Sequence, residues 1–277
     1  MGTLYDIDGK VVAISDDFGV TDYGLFTDND GNSARQATLT YQGKKLYPKN
    51  YPAQHGDIVK DYESGYMIAL GDSYTSMAAT YFREFGKRHG LMCDNRGLAS
   101  STIAGSADGT TVGYHAFWVR LDEAVAEYKA SGTCDDVKLI TFMGGANDWH
   151  TVDEEKGIDR LGNIDSTNKE QLYGACKYIF STLLATFPNA DIVVILQPSS
   201  PSKGNAVMRK KEAIVREVAE MYGLPICDCI FEWYNPDNPT DAATYWASDD
   251  LHMSDKGNEA IFAKLEKVVN NLPFTRS

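Results

Sequence analysis

The chain has 277 residues, 43% of them hydrophobic and 23% charged, which is the composition of a globular protein with room for one large domain. Its 39 acidic residues outnumber 26 basic ones, and no window holds a dense run of Lys and Arg. Nucleic acid and anionic membrane surfaces are therefore poor partners. The longest apolar stretches, such as 192–196, are far shorter than the roughly 20 residues that span a bilayer, so no membrane insertion is expected.

The beginning of the chain lacks the basic and apolar regions of a signal peptide. This leaves the compartment open between the cytoplasm and secretion with a signal already removed. The five cysteines, among them Cys227 and Cys229, do not form the pattern of a disulfide framework and are expected to be reduced and buried. Metal ligation by this pair is the alternative, but no CxxC or CxxC-to-His spacing supports it.

Residues 1–62 differ in pattern from the rest of the chain. Short β-like runs at 10–14 and 37–41 occur there without any helical period, which predicts a small β-rich N-terminal arm or appendage. The segment 28–32 reads as a turn. A calcium loop is the sharper alternative, although no bidentate Glu follows at the EF-hand spacing.

Residues 63–277 alternate apolar strands with amphipathic helices, the pattern of βαβ units around a parallel sheet covered on both faces. Strands are predicted at 66–70, at a short run ending near 93, and at 137–142, 191–196 and 225–229. Helices are predicted at 76–89, 117–130, 169–187, 206–222 and 255–270.

Polar segments follow several of these strands, where an open parallel sheet binds its ligands. They are Gly71-Asp72-Ser73-Tyr74, Asn95-Arg96-Gly97 and Gly144-Gly145-Ala146-Asn147-Asp148, and Asp249-Asp250-Leu251-His252 lies just before the final helix. Four polar loops are thus expected to converge on one edge of the sheet.

Acyl transfer requires a nucleophile, a base, a group that orients the base, and donors for the developing oxyanion. Ser73 follows a strand and opens a helix, so it is a candidate nucleophile; His252, three residues after Asp249, is a candidate base with its orienting acid. Each signal alone has a simpler explanation, because Ser and Asp commonly cap helices without any catalytic role.

The combination and order of these motifs resemble the SGNH hydrolase superfamily, also called GDSL-like lipases or acylhydrolases, over roughly residues 66–271. The resemblance implies an α/β fold: a three-layer αβα sandwich around a mostly parallel, five-stranded, flavodoxin-like sheet. It further implies catalysis by Ser73, Asp249 and His252, with an oxyanion hole formed by the Ser73 and Gly97 backbone and the Asn147 amide. No metal or organic cofactor is implied.

The chain departs from the family in one loop, where it has Gly97-Leu98-Ala99-Ser100-Ser101 instead of the common Gly-x-Ser-Gly. The Gly-x-Ser-x-Gly elbow of the α/β-hydrolases is lacking, which argues against that other esterase fold. Phosphate-loop, dinucleotide-binding and zincin motifs are lacking as well.

The function predicted is therefore hydrolysis of carboxylic esters through an acyl-enzyme, with a carbohydrate O-acetyl ester as the preferred substrate class. Lipase, lysophospholipase and thioesterase activities are alternatives on the same fold, and a non-catalytic glycan-binding or structural module is the alternative of another class. The aromatic residues near the motifs belong either to a sugar or acyl pocket or to the core. They are Trp149, Trp233, Tyr234 and Trp246.

Overall fold

The structure, a computed structural model, describes residues 60–108, 115–148, 160–202, 205–229 and 239–272, together with five N-terminal strands. For those strands, and for residues 205–207, 239, 241 and 242, the backbone alone is described. The described residues fall into two units that divide near residue 59. The role of residues 1–62 as a separate domain stays a prediction.

The N-terminal unit consists of β-strands in antiparallel pairs. Its strands are β1 (Gly2–Tyr5), β2 (Val11–Ser15), β3 (Phe18–Thr27), β4 (Ser33–Tyr41) and β5 (Lys44–Leu46). β1 pairs with β2, and β4 lies between β3 and β5. The run predicted at 37–41 falls in β4, and residues 11–14 of the run predicted at 10–14 fall in β2. The predicted turn at 28–32 lies outside the described residues.

The larger unit is built on one sheet of five strands. They are β6 (Tyr66–Gly71), β7 (Met92–Gly97), β8 (Val137–Met143), β9 (Asp191–Leu196) and β10 (Ile226–Asp228). The order across the sheet is β10-β9-β8-β6-β7, and every neighbouring pair is parallel. The predicted α/β class is confirmed, and the strand order is that of a flavodoxin-like, doubly wound sheet.

Seven helices are described. They are α1 (Ser73–Met77), α2 (Ala79–Arg88), α3 (Phe117–Ser131), α4 (Leu172–Thr186), α5 (Asn205–Met221), α6 (Pro239–Tyr245) and α7 (Asp255–Asn270).

Three of these elements differ from the sequence prediction. The predicted helix 76–89 begins at Ser73, because the Asp72 carboxylate accepts the Tyr74 N–H and caps the chain there, and it is divided at Ala78. The strand predicted to end near 93 continues to Gly97, since pairing with β6 holds it extended. Helix α6 was not predicted, because seven residues are too few for a helical period to be recognised in the sequence.

The core lies on both faces of the sheet, so the larger unit has three layers. Ile68, Leu70 and Phe142 belong to a buried cluster with residues of α3, α4 and α5. The alternate positions of the strands face the other layer. There, Phe262 of α7 packs edge-on against Phe82 of α2 with ring centroids 4.8 Å apart.

Within the part of the chain that the structure describes, no helix is both long enough and apolar enough to cross a membrane. Cys176, Cys227 and Cys229 are buried as expected, but Cys93 and Cys134 are only half-buried. The sulfur atoms of Cys227 and Cys229 lie 3.8 Å apart. Among the described residues, no group of three or more His, Cys, Asp or Glu side chains forms a metal site.

Phe142 tests the arrangement of this core, because its ring lies edge-on to Phe117 at 5.5 Å and to Phe180 at 5.1 Å. We expect Phe142→Ala to lower the free energy of unfolding by about 3–5 kcal/mol, as measured by urea denaturation. Met221, which is 54% exposed, provides the control, and its replacement by Ala should change the value by less than about 0.5 kcal/mol. Equal losses in the two variants would contradict this packing.

Candidate active site

Ser73 lies where the inner strand β6 ends and helix α1 begins. It is the first residue of α1 and only 7% exposed, and the preceding Asp72 caps the helix by accepting the Tyr74 N–H at 3.0 Å. Residues 71–73, the Ser73 connection, thereby join β6 directly to α1. Like the other N–H groups in the first turn of a helix, the Ser73 N–H has no carbonyl partner within the helix.

His252 and Asp249 meet Ser73 in one chain of hydrogen bonds. His252 Nε2 lies 2.8 Å from Ser73 Oγ, and His252 Nδ1 lies 2.6 Å from Asp249 Oδ2. The other oxygen of Asp249 accepts the backbone N–H groups of Leu251 at 3.0 Å and His252 at 2.9 Å. The structure therefore brings together all three residues that the sequence singled out as nucleophile, base and orienting acid.

The charge on Asp249 fixes the tautomer of the histidine. Hydrogen bonds from the His252 backbone and side chain, followed by that from Leu251, lower the pKa of Asp249 to about 2. An ionised carboxylate accepts a proton from Nδ1, which leaves the Nε2 lone pair directed at the serine hydroxyl. This is the protonation state that a general base requires.

Asp250 has a different environment from its neighbour. Its backbone adopts a left-handed conformation with φ 55°, its N–H donates to the Ala247 carbonyl at 3.0 Å, and its carbonyl accepts the Ser202 N–H at 2.9 Å. Its carboxylate makes no hydrogen bond or ion pair with any described residue. Only Asp249 therefore contacts the imidazole.

The segment that carries His252 is attached to α1 through Tyr74. The Tyr74 hydroxyl donates to the Leu251 carbonyl at 2.5 Å, and its ring lies 5.7 Å from the imidazole. A bridge between Trp246 and Met253 closes the base of the segment. Trp246 is 3% exposed and so belongs to the core, while the other three aromatic candidates (Trp149, Trp233 and Tyr234) lie outside the described residues.

Asn147 reaches across to the loop that follows β7. Its amide nitrogen donates one hydrogen to the Ser101 carbonyl at 3.1 Å, and an amide carries a second hydrogen that this bond does not use. The neighbouring Asp148 is buried, and its carboxylate accepts the N–H groups of Ile103 and Ala104, each at 2.9 Å. These bonds fix residues 144–148, the Asn147 loop, against the loop after β7.

Gly97 does not offer the backbone donor that the sequence predicted. Its N–H donates to the Asn95 side-chain oxygen at 2.8 Å, because Asn95 turns back onto the end of its own strand. A side chain at position 97 would come within 2.4 Å of the Ser76 nitrogen, so this glycine permits β7 to pack against α1. The N–H groups of Ala99 and Ser100 have no acceptor among the residues that the structure describes.

Arg120 is a residue of the site that sequence reasoning missed. Its guanidinium donates to the Gly71 carbonyl at 2.9 Å, to the Ser101 hydroxyl at 3.0 Å and to the Arg96 carbonyl. Burial lowers the pKa of Arg120 to about 10, so it stays charged at neutral pH. One side chain of α3 thus joins the Ser73 connection to the loop after β7. No local sequence motif around position 120 predicts this role.

Solved structures share this fold. One crystal structure has 22% sequence identity to this chain, and the match covers 77% of this chain and 100% of the other, with a TM-score of 0.60. A protein from Lactobacillus plantarum is 21% identical over 73% of this chain and 95% of its own, with a TM-score of 0.54. A protein from Bacteroides ovatus described as a GDSL-like lipase is 16% identical over 75% and 99%, with a TM-score of 0.51. No curated protein sequence matches the chain.

The sequence itself identifies the family. The profile of the GDSL-like Lipase/Acylhydrolase family matches residues 69–260. This range begins in β6, ends in α7, and contains Ser73, Asn147, Asp249 and His252. The chain therefore belongs to the GDSL-like Lipase/Acylhydrolase family and is a serine ester hydrolase.

Proposed function

We propose that the protein hydrolyses acetyl esters of carbohydrates through an acyl-enzyme on Ser73, with His252 as the general base and Asp249 as its orienting acid. The observation that carries the assignment of residues is the continuous hydrogen-bond chain from Ser73 Oγ through the imidazole to Asp249. A serine hydroxyl is a weak nucleophile by itself and requires such a base.

The reaction follows from this chain in two halves. Ser73 Oγ attacks the ester carbonyl while His252 Nε2 takes the hydroxyl proton, and the same proton then passes to the alcohol oxygen as the ester bond breaks. Water next attacks the acyl-enzyme and gives a proton to Nε2. That proton returns to Ser73 Oγ as the carboxylic acid leaves, so the enzyme is regenerated.

The oxyanion that forms in each half requires hydrogen-bond donors. The Ser73 N–H and the second amide hydrogen of Asn147 remain our candidates. For the third donor we replace Gly97 by the backbone of Ala99 or Ser100, since the Gly97 N–H is engaged by Asn95. Ser100 has a φ of 64°, a left-handed conformation that turns the chain sharply next to Ser101.

A polar substrate with a short acyl group is supported by the described surface. Only four large hydrophobic side chains are exposed in the described part of the chain, namely Met77, Met92, Leu98 and Met221. Binding of a long acyl chain requires a larger contiguous apolar surface. The net charge of −13 also disfavours approach to an anionic lipid surface.

A series of p-nitrophenyl esters tests this proposal. We expect kcat/KM for the acetate to exceed that for the octanoate at least about tenfold, because a short acyl site excludes the longer chain, and we expect release of acetate from acetylated oligosaccharides. A preference for octanoate would favour a lipase, a preference for thioesters would favour a thioesterase, and binding of glycan without any hydrolysis would favour a non-catalytic module.

Ser73→Ala should lower kcat by at least roughly three orders of magnitude without unfolding the protein, because it removes the nucleophile.

Asp249 and Asp250 form a matched pair for testing the orienting acid. We expect Asp249→Asn to lower kcat by up to about 10⁴, because an amide no longer holds the proton on Nδ1. Asp250→Asn should leave kcat within about twofold, since Asn accepts the left-handed backbone at that position and the carboxylate contacts no described residue. If the two variants lose activity equally, Asp249 is not the orienting acid.

Asn147 provides a separate test of the oxyanion site. Asn147→Ala should lower kcat by about 10² to 10³ and change KM little, because an oxyanion donor acts mainly in the transition state. Thermal unfolding of the variant serves as the control for its structural bond to Ser101. A variant that loses thermal stability but keeps its kcat would show that Asn147 only holds the loop.

A further inference from the structure

One buried amide lies directly behind the candidate active site. Gln197 follows β9 and is 0% exposed. Its side-chain nitrogen donates to both carboxylate oxygens of Asp72, at 3.0 and 2.8 Å, and its side-chain oxygen accepts the Ala146 N–H at 2.7 Å. It therefore contacts the residue before Ser73 with one end and the residue before Asn147 with the other.

Among the neutral side chains, an amide suits this place because the two partners have opposite requirements. The Asp72 carboxylate requires a donor, whereas the Ala146 N–H requires an acceptor, and an amide presents both at its two ends. Both contacts are buried, so loss of either leaves a polar group without water or a partner. The backbone N–H of Gln197 donates to Glu212 at 3.1 Å, which fixes the amide at its base.

We infer that Gln197 is a positioning residue: it holds the Ser73 connection and the Asn147 loop at a fixed separation, so that nucleophile and oxyanion donor face the same carbonyl. This inference rests on the function proposed above. A displacement of about 1 Å between reacting groups costs roughly 10²-fold in rate. Gln197 touches no reacting atom itself, and its effect passes through Asp72 and Ala146.

Several charged groups surround this amide, and burial shifts their protonation. Desolvation raises the pKa of Asp72 to about 6, although hydrogen bonds from Gln197 and the Tyr74 N–H lower it. Burial holds the pKa of Glu212 well above its usual range. The other ionisable groups that act on this cluster are Lys211 of α5, Asp148 after β8, Arg120 of α3, Cys176 of α4, Tyr74 of α1 and His252.

Gln197→Met tests the inference by removing both contacts with little change in volume. We expect kcat for p-nitrophenyl acetate to fall about 10- to 100-fold while KM changes less than about threefold. Gln171→Met is the control: it removes an amide that accepts a hydrogen bond from Ser166 Oγ at the start of α4. That variant should keep kcat within about twofold. Urea denaturation of all the variants separates positioning from stability.

The pH dependence of kcat in Gln197→Glu distinguishes a positioning role from a purely structural one. When protonated, the new carboxyl donates to Asp72 and accepts from Ala146 as the amide does; when ionised, it repels the Asp72 carboxylate and has no proton to donate. The ratio of variant to wild-type kcat should therefore rise about tenfold as the pH falls from 8 to 6. The ratio is used because any pH dependence that the variant and the wild-type protein share divides out of it.

The outcomes distinguish this inference from the proposed function. If the wild-type protein hydrolyses no ester and a fluorophosphonate does not label Ser73, the proposed function fails. If the wild-type protein is active but Gln197→Met keeps its kcat, or the Gln197→Glu ratio is independent of pH, the positioning role is wrong and the function stands. Should Gln197→Met fail to fold, the pH dependence of the Gln197→Glu ratio decides.

Discussion

The parallel direction of the sheet determines where the chemistry lies. β6 pairs with β7 on one side and with β8 on the other, and all three run the same way. Their carboxyl ends consequently leave the sheet side by side, which brings the Ser73 connection, the 98–101 loop and Asn147 to one place. A change in the direction of a single strand would send one of these segments to the opposite end of the molecule.

Loops that gather at a sheet edge lack ladder partners for their backbone groups, and buried side chains provide them instead. Arg120 satisfies the carbonyls of Gly71 and Arg96 at the ends of β6 and β7, and Gln197 satisfies the Ala146 N–H. The Lys211 ammonium donates to the carbonyls of Ala146 and Asp148, each at 3.2 Å. Polar groups occupy the space beneath the site for this reason. Burial raises the pKa of the Asp148 carboxyl in this layer to about 6.

The sequence was sufficient for those features that depend on short segments. Asp249 and His252 lie within one turn of chain, so their spacing already implied their contact, and the strand and helix periods defined the sheet. The predicted donor at Gly97 failed because the direction of its N–H depends on the rotamer of Asn95, which no motif specifies. Arg120 and Gln197 were missed because each meets the site only through the packing of distant elements.

The attachment of the histidine segment has a consequence for how the enzyme would lose activity on heating. The imidazole reaches Ser73 on a short stretch tied to α1 by the Tyr74 hydroxyl and closed by the Trp246–Met253 bridge, while the sheet that carries the serine is a large buried core. Short segments outside the regular elements open at a lower free energy than a buried sheet does. Opening of this stretch would part base from nucleophile in a molecule whose sheet is intact, and amide hydrogen exchange along 246–253 would report it separately from global melting.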